Sequence, residues 1–147
     1  MGNQTDRGQP VPVTPVPVPT RRVLLVDDNA DAVSALSLLL EMMGHEVRVA
    51  YDGVAALELA AGFRPEAVIL DIGLPRMDGY AVARAMRASE STAGALLIAL
   101  TGYGQPGDRT KSHDAGFDLH FVKPVSFDQI ENAIAGCGAR GTPGTPH

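Results

Sequence analysis

Apolar positions along the chain change period several times, and each change predicts an element. Residues 23–26 form a continuous apolar run, the pattern of a strand buried on both faces of a parallel sheet. Val33, Leu36, Leu40 and Met43 then recur at helical spacing, and Gly44 stands where a helix would stop at its C′ position. Val47 and Val49 alternate with Glu46 and Arg48, which predicts a one-sided edge strand. Val54, Leu57 and Ala61 predict a short helix closed by Gly62, and residues 67–70 are a second buried run ending at Asp71. Val82 and Met86 mark a third helix after Asp78-Gly79, and residues 95–100 form a third buried run ending at Thr101. A polar helix is expected over about 106–115, followed by a short strand at 119–122 that ends at Lys123-Pro124. Ser126 and Gln129 have capping-box spacing and open a last helix that carries Phe127, Ile130 and Ile134. Met42 and Met43 are expected in or near the core, Asp52 and Asp78 as caps or turn formers, and His45 and His113 at the surface.

Five strands alternating with five helices predict an α/β domain, a doubly wound parallel sheet covered on both faces. Right-handed crossovers and a one-sided second strand favour the order 2-1-3-4-5. Ligands of such sheets bind at the carboxyl ends of the strands, near the switch point. That rule gathers Asp27-Asp28, Asp71, Thr101 and Lys123 at one edge. A helix cap explains one acidic or amide residue after the first strand, yet Asp27, Asp28, Asn29 and Asp31 all stand there. One acid is left over, which points to a second purpose.

The flanks differ from this centre. Residues 1–20 alternate Pro10, Pro12, Pro15, Pro17 and Pro19 with Val and Thr, the composition of a polyproline II tether of ~3.1 Å per residue. Residues 137–147 are rich in Gly, Pro and Thr and are expected to be a disordered tail, which leaves 21–136 as the folded domain. With 147 residues, 45% of them apolar and 20% charged, the chain has the composition of one globular domain. A net charge of -5 argues against nonspecific nucleic-acid binding. The single cysteine, Cys137, excludes an internal disulfide and suits a reducing compartment. Neither a signal pattern nor an apolar run near ~18 residues is present, so no membrane contact and a cytoplasmic location are expected. Met1-Gly2 is not read as a myristoylation start, because Asp6 stands where Ser or Thr is needed.

Three carboxylates, a hydroxyl and an ammonium in one crevice form a specific set. Hard oxygen donors without His or Cys select Mg²⁺ or a similar ion, and three Asp leave an octahedral ion room for waters or phosphoryl oxygens. Lys and Thr can hold the remaining phosphoryl oxygens, and an Asp nucleophile yields an acyl phosphate.

The stretches VDDN, LDIGLPRMDGY, ALTGYG and FVKPV, in that order at successive strand ends, resemble the receiver domain of bacterial two-component response regulators. The resemblance covers about residues 21–136 and implies the flavodoxin-like fold. It implies that Asp71 is the phosphorylated aspartate and that Asp27 and Asp28 are the acidic pair. It also implies that Mg²⁺ is held by the acidic pocket, with Asp28, Asp71 and the backbone carbonyl of Gly73 touching it directly. Thr101 would be the switch hydroxyl and Lys123 the phosphate-pairing lysine, before a proline joined by a cis peptide bond. The donor would be a histidine kinase or a histidine phosphotransfer protein, and the chain a signalling receiver that catalyses only its own phosphorylation and dephosphorylation. His120 departs from the family's usual Tyr or Phe at the switch position and is expected to stay at the surface. Tyr103 and Gly73 occupy positions that tune acyl-phosphate lifetime. About a dozen residues follow the last helix, too few for an output domain, so a stand-alone receiver or the receiver of a hybrid kinase is expected. Two competing readings are a haloacid-dehalogenase-like phosphatase with its nucleophile on the first strand, and an FMN binder. The first wants an Asp where Asn29 stands, and the second wants a glycine- and hydroxyl-rich loop where DDNAD stands.

Overall fold

A computed structural model of the chain describes residues 20–72, 78–102 and 108–136. Ten elements alternate without exception: β1 (Arg22–Val26), α1 (Ala30–Met42), β2 (Glu46–Ala50), α2 (Gly53–Phe63), β3 (Ala67–Asp71), α3 (Gly79–Ala88), β4 (Leu96–Thr101), α4 (Asp108–Ala115), β5 (Leu119–Val122) and α5 (Phe127–Ala135). The strands form one sheet in the order β2-β1-β3-β4-β5, and every pairing is parallel. The expected flavodoxin-like architecture is the observed one.

Alternation along the strands divides the core in two. Leu24, Val26, Val68, Leu70, Leu97 and Ala99 point to one face and meet buried residues of α2, α3 and α4. Val23, Leu25, Ile69, Ile98 and Leu100 point to the other and meet Val33 and Leu40 of α1 and Ile130 and Ile134 of α5. Strands covered twice have no polar position to spare, which is why β1, β3 and β4 read as unbroken apolar runs. Side chains start the helices where expected. Asp52 and Asp78 accept N–H bonds from Ala55 and Tyr80, and Ser126 and Gln129 form a reciprocal capping box. Gly44 takes the expected left-handed turn after α1, with φ of 96°.

Three local expectations need correction. Gly62 does not close α2: it lies inside the helix, and the stop is Arg64 in the left-handed region at φ 53°. The buried face of α2 is Gly53, Ala56 and Ala60, while Val54 is exposed, because small side chains let the helix approach the sheet closely. Met42 and Met43 are not core residues: Met42, the last residue of α1, is 72% exposed and Met43, its C-cap, 39%. His45 is the third case. It is 4% exposed rather than on the surface, with its Nδ1 accepting the Arg21 amide at 3.0 Å and its Nε2 at 3.1 Å from Glu131 Oε1. His113, by contrast, is exposed as expected. Among the described residues no helix is long and apolar enough to cross a membrane.

Candidate functional site

The register of the sheet places the candidate side chains. Val26 pairs with Ala50 and Leu70, Asp71 with Leu100, and Thr101 with Val122, so the strands finish nearly level. The next residue after β1 is Asp27 and the next after β5 is Lys123, which brings both to the edge already occupied by Asp71 and Thr101. The backbone is stitched there by Asp27 N–H to Ala50 O (3.2 Å), Ile72 N–H to Leu100 O (2.9 Å) and Lys123 N–H to Thr101 O (2.8 Å).

The acidic cluster after β1 divides its labour. Asn29 is the cap of α1, its side-chain oxygen accepting the Ala32 amide at 3.1 Å. Asp27 is turned inward, 8% exposed, with Oδ1 accepting the Asn29 amide at 3.0 Å. Asp28 is exposed. With the cap supplied by Asn29, one carboxylate oxygen each of Asp27, Asp28 and Asp71 can lie within 4.8 Å of one another. The Lys123 ammonium faces two of these acids, 3.3 Å from Asp71 Oδ2 and 3.6 Å from Asp27 Oδ2. The Lys123-Pro124 peptide bond is cis.

Charge in this crevice is out of balance. Burial raises the Asp71 carboxyl above its ordinary value; Lys123 pulls it down, and Asp27 pushes it up again. Burial lowers the Lys123 ammonium, but attraction to Asp71 and Asp27 outweighs it and the group is raised overall. Among the described residues three carboxylates share one ammonium and are short of positive charge. Hard oxygen donors in that condition fit a divalent ion such as Mg²⁺.

Two further residues shape the site. A methyl on Gly79, the first residue of α3, would lie 2.9 Å from Ile72 Cα and 3.3 Å from Asp71 O, so only glycine lets α3 start against the end of β3. His120 is half-buried, and its Nδ1 lies 2.9 Å from Ser112 Oγ on α4, a residue that is itself 1% exposed. Leu119 and Phe121 pack toward the α1–α5 face, which turns His120 toward α4. The sequence pairs Asp78 with Gly79 visibly, but the Ser112–His120 contact has no signal in spacing. Gly73 and Tyr103, both singled out from sequence, lie outside the described residues.

A family profile described as the response regulator receiver domain matches residues 23–135. The DNA-binding dual master transcriptional regulator RpaA of a Synechocystis species is 34% identical over 109 residues, covering 74% of this chain and 45% of that protein. The response regulator MprA of a Mycobacterium species is 38% identical over 110 residues, covering 74% of this chain and 46% of its own. The chain thus spans about half the length of the curated relatives it matches. Among solved structures, the receiver domain of the sensor histidine kinase PA1611 from Pseudomonas aeruginosa aligns with a TM-score of 0.72 at 30% identity. It covers 82% of this chain and 99% of that one, and was solved with magnesium coordinated in the active-site cleft. A CheY-like receiver domain protein from Methanospirillum hungatei aligns with a TM-score of 0.75 at 26% identity, covering 83% of this chain and 97% of that one.

Proposed function

Because the chain belongs to the response regulator receiver domain family, whose members are signalling domains, we propose that it accepts a phosphoryl group on Asp71 from a histidine kinase or a histidine phosphotransfer protein. The observation that carries this is the convergence of Asp27, Asp28 and Asp71 within one carboxylate-oxygen cluster, with the Lys123 ammonium against two of them. In this reading an Asp71 carboxylate oxygen attacks phosphorus in line, the bond from phosphorus to the donor's imidazole nitrogen breaks, and that nitrogen leaves with its electron pair to be protonated. The product is an acyl phosphate on Asp71.

The surrounding residues take separate roles. Lys123, held by its backbone to Thr101 O, moves from pairing Asp71 to pairing a phosphoryl oxygen. Asp27 keeps that ammonium in place from the other side and, being buried, holds the crevice negative until a cation enters. Asp28 and Asp71, with the Gly73 carbonyl, would hold Mg²⁺ directly, and Asp27 would support them. When bound, the ion supplies charge neutralisation between the acids and the incoming phosphoryl oxygens. Thr101, at the end of β4, is the hydroxyl for the remaining phosphoryl oxygen and the start of the conformational response. Residues 21–136 form the receiver unit of this proposal, with 1–20 and 137–147 as flanking segments. Asn29 as the cap of α1 weakens the phosphatase alternative, which wants a free carboxylate at that position.

Incubation with phosphoramidate and Mg²⁺, followed by intact-mass measurement, tests the reading. One labile phosphoryl adduct is expected on the native chain and none on Asp71→Asn, and Asp28→Ala should abolish the Mg²⁺ dependence. An adduct that persists in Asp71→Asn, or none on the native chain, would overturn it.

A further inference from the structure

A cavity of about 550 Å³ lies between α1 and α5, walled by Ala32, Ala35, Leu36, Leu39, Val125 and Phe127 and bounded at its upper end by Asp27, Lys123 and Pro124. The apolar surface continues down the outer side of α1. Leu38 is 58% exposed, Leu39 42%, Met42 72% and Met43 39%, and these form two rows four residues apart on one helix. Large exposed apolar side chains arranged contiguously mark a surface that something covers.

The chain enters the domain at the foot of this groove. Thr20 packs where a side chain on Gly44 would be, just past the end of α1. Arg21 donates its amide to His45 Nδ1 and reaches the carbonyl of Ala135, the last residue of α5, at 3.4 Å. The segment before Thr20 therefore begins between the lower ends of the two helices that wall the groove. Residues 9–19 read QPVPVTPVPVP, without a charge and with valine or proline at nine of eleven positions.

We propose that residues 9–19 of the same chain dock in the α1–α5 groove, as an extended apolar strap lying along α1 from its foot toward the Asp27–Lys123 mouth. Length permits it. The 13 residues of α1 rise ~20 Å at ~1.5 Å each, whereas eleven residues in polyproline II form reach ~34 Å at ~3.1 Å each. Chemistry permits it as well, since an uncharged Pro-Val segment leaves no ion to desolvate against an apolar wall. Proline fixes φ before docking, so the segment loses less conformational freedom than an ordinary peptide would.

The test uses the full chain with Cys137→Ser and a nitroxide on Thr14→Cys, which leaves the valines and prolines intact. The strap predicts selective loss of amide signal intensity for residues 32–39 and 127–130, reversed by Leu39→Lys, an exposed position where a charge should not disturb the core. A sample mixing isotope-labelled chain without nitroxide and unlabelled chain with nitroxide should show no such loss. Broadening spread over the whole surface, insensitivity to Leu39→Lys, or loss in the mixed sample equal to that in the single-chain one (a second copy's segment in the groove) would overturn the proposal.

Discussion

Replacing Gly79 by alanine sets two effects of opposite sign against each other at the base of the site. Alanine is favoured over glycine in helices by up to ~1 kcal/mol, and less in a first turn, where Gly79 stands. The added methyl, however, would sit 2.9 Å from Ile72 Cα and 3.3 Å from Asp71 O, against an optimal carbon–carbon separation of ~3.5–4.0 Å. Both neighbours are backbone atoms of the segment that carries Asp71, so nothing flexible can swing aside, and overpacking of this kind costs ~1–3 kcal/mol. The steric term wins, and Gly79→Ala should lose about 1–2 kcal/mol in urea denaturation. Relief requires moving α3 off β3 or displacing the Asp71–Ile72 backbone by more than half an ångström, and the second route shifts Asp71 relative to Lys123. Misplacement on that scale lowers rates by about 10–100-fold, which phosphoramidate labelling followed by intact mass would read. Gly62→Ala is the matched control, because nothing lies within 4 Å of its added methyl inside α2, and it should gain about 0.5–1 kcal/mol with unchanged labelling. If Gly79→Ala proves as stable and as reactive as Gly62→Ala, the packing argument is wrong.

Three other outcomes follow from individual contacts. The Asp71 carboxyl is raised above 3.8 in the fold by burial and by Asp27, so the folded chain holds its proton longer than the unfolded chain, and stability falls as pH rises through that interval. Asp71→Asn should therefore be more stable than the native chain at pH 7 in EDTA, with the gain fading below about pH 3.8 and shrinking when Mg²⁺ is added; denaturation curves at several pH values would show it, and a pH-independent difference would contradict it. His45→Ala leaves the Arg21 amide and the Glu131 carboxylate without their imidazole and opens space in a side-chain site of zero exposure, so a loss of about 2–4 kcal/mol is expected in urea, and less than ~1 would show the contact to be incidental. Ser112→Ala removes the bond from α4 to His120 and should speed hydrogen exchange of amides 111–115 by about five- to tenfold while β3 stays protected; equal change in both would mean general destabilisation instead.

Strands were the most legible part of this fold, for a physical reason. A strand buried on both faces excludes polar residues throughout, so residues 23–26, 67–70 and 96–100 announce themselves, and the charged pattern of Glu46 and Arg48 marks the edge strand beside them. Helix faces were legible only where polarity contrasts with burial. The segment GVAALELAAGF is apolar nearly all round, so periodicity cannot choose between Val54-Leu57-Ala61 and the face actually buried, Gly53-Ala56-Ala60. Small residues win because the helix lies close to the sheet, a tertiary fact. Periodicity also cannot say where a face stops being covered, which is how Met43 continues the α1 pattern and yet is 39% exposed. The burial of His45 is hidden from the sequence for a different reason. Its partners lie 24 and 86 residues away, and nothing near it in sequence hints at a buried imidazole.

The site itself was legible because topology converts strand ends into neighbours. Asp27, Asp71 and Lys123 are far apart in sequence, and a parallel sheet whose strands finish level leaves them no other place to be. What topology could not assign was the division among Asp27, Asp28 and Asn29. The structure gives the cap to Asn29, turns Asp27 inward toward Lys123 and leaves Asp28 exposed. The consequence is electrostatic. Among the described residues three carboxyl groups, Asp27, Asp28 and Asp71, face one ammonium, so their formal charges leave a deficit of two positive charges, while the Asp71 carboxyl is raised first by its burial and further by Asp27, against the pull of Lys123. A divalent ion has the charge that closes the gap, whereas a monovalent ion would leave half of it. A phosphoryl group arriving before any cation would meet net negative charge, with Lys123 the one cation among the described residues of the cluster to receive it. In the proposed reading, Mg²⁺ and phosphoryl transfer are therefore coupled by charge balance as well as by shape, and Asp27 matters to both although it is the least accessible of the three acids.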